Sequence, residues 1–365
     1  MKRWNMLVII LVISLVFQIP VSVSATDESE ASAISMLAAL GIIPEEMAKN
    51  PEAPVSRGDY LRLLFSVSGQ EEKTRQYAGN ALFTDVPPSN SLNGTVGAAV
   101  ALGYLTGLPD GKFHPEDPVT WSQLAVGILK VLGYTENDLD GYWPYNYLNK
   151  LASLKLTEGL SFTAQSPVYT GELAIVLERM LETDMKDGSQ TFMEKVGKLK
   201  NIIVIENGNF RTDLSPLRIL TPDGVLYLQE GLAVPQLGYS YIARVDDDTV
   251  SAFVSGGFTY QNYTVKDQSN GYILYGGNKS LKLPEKIFYY YGDKVLDASS
   301  VPQILTANSS IIIASKDGKA AYGVVYDPVY SGAKIITRSM TTDMLERLYA
   351  GRIIDRGGKS IKPSE

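Results

Sequence analysis

Residues 107–123 read Gly107-Leu108-Pro109-Asp110-Gly111-Lys112-Phe113-His114-Pro115-Glu116-Asp117-Pro118-Val119-Thr120-Trp121-Ser122-Gln123. Pro109-Asp110-Gly111 is a turn, because proline presets its own φ and the glycine tolerates φ > 0. Thr120 and Gln123 stand three apart, the hydroxyl-x-x-amide arrangement that satisfies orphan N–H groups at a helix start. Downstream, Leu124, Ile128 and Val131 fall on one face of an amphipathic helix. Upstream, Phe83-Thr84-Asp85-Val86-Pro87 precedes an apolar helical run, Val96 to Leu102, that stops at Gly103. The unit is therefore helix, loop, helix. His114, with no companion ligand, reads as a surface residue and not as a catalyst.

The same order recurs on both sides. Ile34–Leu40 and Leu148–Leu154 are further first helices. Tyr60, Leu63, Leu64 and Val67 form one further second helix, and Leu173, Val176, Leu177, Met180 and Leu181 form the other. The second helices start at Val55-Ser56-Arg57-Gly58-Asp59, Val119-Thr120-Trp121-Ser122-Gln123 and Val168-Tyr169-Thr170-Gly171-Glu172, 64 and 49 residues apart. Ser56 and Asp59 repeat the capping pair. Tyr169 cannot cap in this way, which leaves only Glu172 of the pattern.

Beyond residue 187 the chain changes character. Residues 26–187 hold 11 Lys+Arg and 22 Asp+Glu, a net of −11, while residues 188–365 hold 20 and 18, a net of +2. Thr183 to Ser189 reads as the linker, being polar and ending in Gly-Ser. Branched and aromatic runs then alternate with turns at Asn207-Gly208, Asp223-Gly224, Asp246-Asp247-Asp248, Gly292-Asp293 and Asp317-Gly318. Antiparallel hairpins are expected. The turns at Asp247 and Asp317 are 70 residues apart, which suggests two tandem small β units, half-open barrels or sandwiches. Arg352 to Ile361 reads as the opening hairpin of a third. Asp246-Asp247-Asp248 is either a hairpin turn or a calcium-holding cluster, and the turn is favoured because no EF-hand spacing accompanies it. Tyr260, Tyr263, Tyr272, Tyr275, Tyr289, Tyr290 and Tyr291 are either ordinary strand aromatics or a glycan platform.

The 365 residues are 45% apolar and 20% charged, with a mean hydropathy of −0.02, which fits a folded chain of two or three domains. There is no cysteine, so disulfides, thiolate nucleophiles and Cys-based zinc sites are excluded; a single histidine excludes a multi-His metal centre. The net charge of −7 offers no basic field for nucleic acid. Lys2 and Arg3, the apolar run from Met6 to Phe17 and the short residues Val23-Ser24-Ala25 read as a secretory signal peptide, cleaved between Ala25 and Thr26. The apolar run is shorter than the ~20 residues of a membrane span.

The stretch Phe83-x-Asp85-Val86, the Ala-rich helix ending in Gly103, Gly107-x-x-Asp110-Gly111-x-Phe113-x-Pro115 and the start at Thr120 resemble an S-layer homology (SLH) domain. The match spans about residues 80–134, with more degenerate copies on either side. The resemblance implies a multidomain α + β chain: a helical SLH triplet in a pseudo-threefold bundle, followed by the tandem small antiparallel β units. The expected organisation is signal peptide 1–25; repeats 26–78, 79–138 and 139–185; linker 186–194; β units 195–256 and 257–330; and a partial third unit or tail at 331–365.

By the same resemblance, the triplet binds secondary cell-wall polymer, often a pyruvylated glycan, on a Gram-positive surface. Self-association in a surface lattice is a further possibility it raises. No cofactor, nucleic acid or metal is implied, and no membrane span after cleavage. The polymer-binding residues it implies are Arg57, Gly107, Asp110 and Trp121. The family's arginine in the second helix's first turn survives only as Arg57, with Trp121 and Thr170 at the matching positions. Arg57 either reaches the anionic polymer or is a solvated residue in the first turn of a helix, and Trp121 either stacks on a sugar or packs between repeats. Two functions follow: a non-catalytic, wall-anchored surface protein, or an SLH-anchored glycoside hydrolase or esterase with its activity in the C-terminal half. The first is favoured, since no nucleophile elbow or carboxylate pair can be singled out.

Overall fold

The computed structural model describes residues 25–207, 218–291, 294–297, 305, 307–326, 353–354 and 360–361. The expected signal segment lies outside them apart from Ala25, where helix α1 (Ala25–Ala39) begins. The three second helices are α3 (Arg57–Val67), α6 (Trp121–Val131) and α8 (Thr170–Leu181); the first helices are α1, α5 (Asn93–Leu102) and α7 (Tyr145–Ser153). Short helices α2 (Glu45–Ala48), α4 (Glu71–Gln76) and α9 (Phe192–Val196) lie between or after them.

Capping decides the starts. The Asp59 amide donates to Ser56 Oγ (3.0 Å), Thr120 and Gln123 cap each other, and at α8 the Tyr169 amide donates to the Glu172 carboxylate (3.0 Å). Helix α5 ends at Gly103, whose φ of 71° is the left-handed conformation that glycine adopts without strain. The three second helices supply the centre of one continuous apolar core, with Tyr60, Leu64, Leu124, Ile128, Val176 and Leu177 fully buried. Tyr60 donates to the Leu124 carbonyl (2.8 Å) across the bundle, and burial holds its hydroxyl well above the ordinary tyrosine range.

The expected linker 186–194 is not a free tether. Thr191 and Glu194 form a capping box that starts α9, and Phe192 and Met193 are buried in the helical core. The Lys186 amide donates to the Leu132 carbonyl and that of Phe192 to Thr183. The polar composition of this segment concealed a buried hydrophobic pair.

The C-terminal half is built of small sheets. Strands β1 (Leu199–Ile203), β2 (Glu206–Asn207), β3 (Arg218–Thr221), β4 (Gly224–Leu228), β5 (Ser240–Asp246) and β6 (Thr249–Ser255) form a sheet of order β1-β5-β6-β4-β3-β2. Strands β7 (Thr259–Thr264), β11 (Lys286–Tyr291), β12 (Lys294–Asp297), β13 (Ser310–Lys316) and β14 (Lys319–Tyr326) form a second, of order β12-β11-β14-β13-β7. Inserted in the second sheet between β7 and β11, β8 (Asp267–Ser269), β9 (Tyr272–Tyr275) and β10 (Lys279–Lys282) make a small meander. A hairpin pairs β15 (Ile353–Ile354) with β16 (Ser360–Ile361).

The two larger sheets share one plan: β1, β5 and β6 correspond to β7, β13 and β14. The register slips at Arg244/Val245 in one and at Ala314/Ser315 in the other, just before each turn. The turns match as well. Asp247 and Asp248 have φ of 45° and 63°, and Asp317 and Gly318 have 52° and 73°, the two left-handed residues of a type I′ hairpin. Asp246-Asp247-Asp248 is thus a turn. The purely antiparallel expectation needs correction, because β4 runs parallel to β6 and β11 parallel to β14. Asp-Gly turns dictate only which neighbours fold back. They leave open how a preceding hairpin docks on the edge of the next one.

Candidate functional site

The three second-helix starts meet head to tail in a closed ring. The Val55 amide donates to the Val168 carbonyl (2.9 Å), Val168 to Val119 (3.0 Å), and Val119 back to Val55 (2.9 Å). Outside this triangle each start clamps the loop before the next one. Arg57 and Gly58 donate to Asp117 and Pro115 (2.9 and 2.8 Å), Trp121 and Ser122 to Ser166 and Ala164 (3.2 and 3.0 Å), and Thr170 and Gly171 to Ala53 and Pro51 (3.0 Å each). These nine bonds obey one pseudo-threefold rule, which places Arg57, Trp121 and Thr170 at equivalent points of three joints.

At the first joint the Arg57 side chain is 1% exposed. Its Nε donates to the Phe113 carbonyl (3.0 Å) and Nη2 to the Thr106 carbonyl (2.9 Å), with the guanidinium 4.6 Å from the Phe113 ring centroid. Nη1 is buried without a hydrogen-bond partner. Burial pulls the guanidinium below its ordinary value, while Asp117 and Asp85 pull the other way. At the second joint Trp121, fully buried, lies flat on Phe162 at 3.9 Å and 11°. Phe162 stands in the loop as Phe113 does in its own. Trp121 therefore packs between repeats, as the second of the two sequence readings had it, and neither Trp121 nor Arg57 is exposed on the surface. At the third joint Thr170 donates its hydroxyl to Ala53 (3.2 Å), and Lys49, at the place of Phe113 and Phe162, offers no ring.

The loop at the first joint has its own fastening. Asp85 accepts the amides of Phe113 (3.0 Å) and His114 (2.7 Å). Burial pushes its carboxyl up, but these two N–H bonds outweigh it and hold the group below the usual carboxylate range. Gly107 lies under the Phe83 ring, where an added Cβ would sit 2.3 Å from a ring carbon. Asp110 is on the exposed rim, its Oδ2 2.6 Å from His114 Nε2 and its Oδ1 accepting the Lys112 amide (3.1 Å). The structure thus brings Arg57, Gly107 and Asp110 to one joint and puts Trp121 at the next. Sequence reading missed Asp85 as the post of this loop, though the acidic position of Phe-x-Asp-Val pointed to it. It also missed Phe113 and Phe162 as the ring partners.

The tyrosines of the β half do not form one platform. Tyr260 stacks on Tyr239 at 3.7 Å and its hydroxyl accepts the Ser240 amide, whereas Tyr263 meets Tyr275 edge-on at 4.7 Å. Tyr272 stands apart, 45% exposed. The side chains of Tyr290 and Tyr291 lie outside the described residues. Among the described residues no three His, Asp or Glu side chains cluster as metal ligands, and no helix is long and apolar enough to cross a membrane.

Comparison with known proteins points the same way. The S-layer homology domain model matches residues 82–125, which hold α5, the loop clamped at the first joint and the start of α6. The chain is 28% identical over 354 residues to a cell surface protein of Thermoanaerobacter kivui, covering 87% of this chain and 44% of that one. It is 24% identical over 133 residues to the middle cell wall protein of Brevibacillus brevis, 36% of this chain and 12% of the relative. A cellulosome-anchoring protein of Acetivibrio thermocellus is 24% identical over 160 residues, 38% of this chain and 34% of its own. The chain spans less than half the length of the curated relatives it matches.

Proposed function

We propose that this chain is a non-catalytic anchoring module of the bacterial cell surface. Its helical ring attaches to secondary cell-wall polymer, and the β half is carried outward from the ring. The observation that carries this reading is the coincidence of the S-layer homology match, residues 82–125, with the loop clamped at the first joint. The relatives' names support it: they are surface, wall and anchoring proteins, and none names an enzyme.

Within that reading the four residues divide. Gly107 and Asp110 shape the exposed rim that a polymer meets. Arg57 and Trp121 hold the walls of their joints, and Arg57 keeps the two N–H groups of Nη1, which have no partner, for an anionic oxygen that enters the joint. With −11 on residues 26–187, attachment rests on local contacts and not on long-range attraction to an anionic glycan. The test is sedimentation of the full chain with purified walls before and after the secondary polymer is extracted. Retention that vanishes with the polymer supports the reading, and equal retention on stripped peptidoglycan overturns it. The same preparation incubated with walls is expected to release no soluble sugar or peptide.

A further inference from the structure

A cleft of about 530 Å³ opens where the helical ring and both β sheets converge, within the ~300–1,000 Å³ range of small-molecule sites. Its floor is apolar: Met36, Leu181, Met193, Ile242 and Val254. Its rim is polar, with Ser32 and Ser35 of α1 on one side and Ser255, Gly256 and Gly257 on the other. Glu178 and Glu182, one turn apart at the end of α8, form the remaining wall, and Lys316 reaches over it from the second sheet.

The charges in this wall are unevenly matched. Lys316 pairs with Glu182 at 3.5 Å, but both side chains are largely exposed and such a pair exchanges readily with solvent. Arg179, the other nearby cation, spends Nη1 on the Leu156 and Glu158 carbonyls (3.2 and 2.7 Å). Glu178 accepts no hydrogen bond from a described residue, and burial raises its carboxyl above the usual range. The carboxyl end of a helix favours a cation in addition. This lining suits a cationic group on a body with one apolar face and several hydroxyls.

We propose that this cleft binds a protonated amino sugar, its ammonium on Glu178 and Glu182, its hydroxyls on the serine rim and its C–H face on the floor. Such a ligand would touch all three bodies at once and fix their mutual placement.

The test titrates the full chain with glucosamine, N-acetylglucosamine and glucose at pH 6, following methionine methyl shifts by NMR. Saturable glucosamine shifts at Met36 and Met193 are expected, with the two uncharged sugars at least tenfold weaker. Glu178→Gln should weaken glucosamine at least tenfold. Ser35→Trp, which fills the cleft from an exposed position, should abolish the shifts without depending on the carboxylate. Absent or unsaturable shifts, equal affinity for the three sugars, or unchanged binding in a folded Glu178→Gln or Ser35→Trp variant would each overturn the proposal.

Discussion

Arg57 and Phe113, 56 residues apart in the chain, are stacked across the first joint of the ring, and the same arginine holds the Phe113 carbonyl. One side chain thus fixes both the ring and the backbone of the loop that faces it. The arrangement makes Arg57 a keystone of repeat closure, whatever the loop then binds.

Arg57→Ala leaves the Thr106 and Phe113 carbonyls unpaired and opens a void under the ring. A loss of about 2–4 kcal/mol of stability is expected by urea denaturation. Arg57→Lys keeps the charge without the fork and should recover only part of it. A loss below about 0.5 kcal/mol would show that the joint closes without the guanidinium.

Trp121→Ala removes a fully buried ring and its stacking on Phe162, at an expected cost of about 3–5 kcal/mol. Trp121→Phe should lose much less. Wall binding by a folded Trp121→Phe variant is expected to match the parent, because the indole is enclosed by protein.

Gly127 of α6 faces α3, where an added Cβ would lie 2.1 Å from the Tyr60 hydroxyl oxygen and 2.9 Å from a Leu64 methyl. Gly127→Ala should therefore lower the thermal midpoint by an amount equivalent to about 1–3 kcal/mol, despite alanine's better helix propensity. The double variant Gly127→Ala/Tyr60→Phe, which relieves the closest contact, should recover part of the loss.

Asp85 gives the first joint a defined acid response. Its folded-state pKa lies below the unfolded value of 3.8, so its contribution is present above that value and is lost as pH falls through the folded pKa. The stability difference between the parent and Asp85→Asn should stay constant above about pH 5 and shrink below pH 4. A difference that persists unchanged at pH 2 would mean that the loop is held by other groups.

Tyr322 of the second sheet donates to the carbonyl of Gly238, in the loop that leads into β5 of the first, at 3.1 Å, deep enough that burial pushes its hydroxyl far above the tyrosine range. Tyr322→Phe should cost about 1–2 kcal/mol and separate the unfolding of the two β units into resolvable transitions. A single sharp transition at an unchanged midpoint would show that the units are coupled elsewhere.

What was legible in the sequence was local. Ser56, Thr120 and Glu172 announce helix starts because a cap is settled within four residues, and Asp247 and Asp317 announce turns for the same reason. The ring was implied only through resemblance, since the Val55, Val119 and Val168 bonds join residues 49 to 113 apart and leave no local pattern. The burial of Arg57 could not be read from its place in a polar first turn, because the covering ring comes from another repeat. Likewise Phe192-Met193 looked like part of a tether until the core it enters was in view.

The end of α1 is held from the far side of the molecule: Arg244 of β5 donates to the Leu40 carbonyl at 3.0 Å. Among the described residues the β half is therefore moored to the helical ring at several points besides the covalent chain at α9, among them the end of the first helix and the Lys316–Glu182 pair. Tension applied to the outer part of an anchored chain would be divided between these moorings, so the ring is loaded as a closed hoop and not peeled open from its last helix.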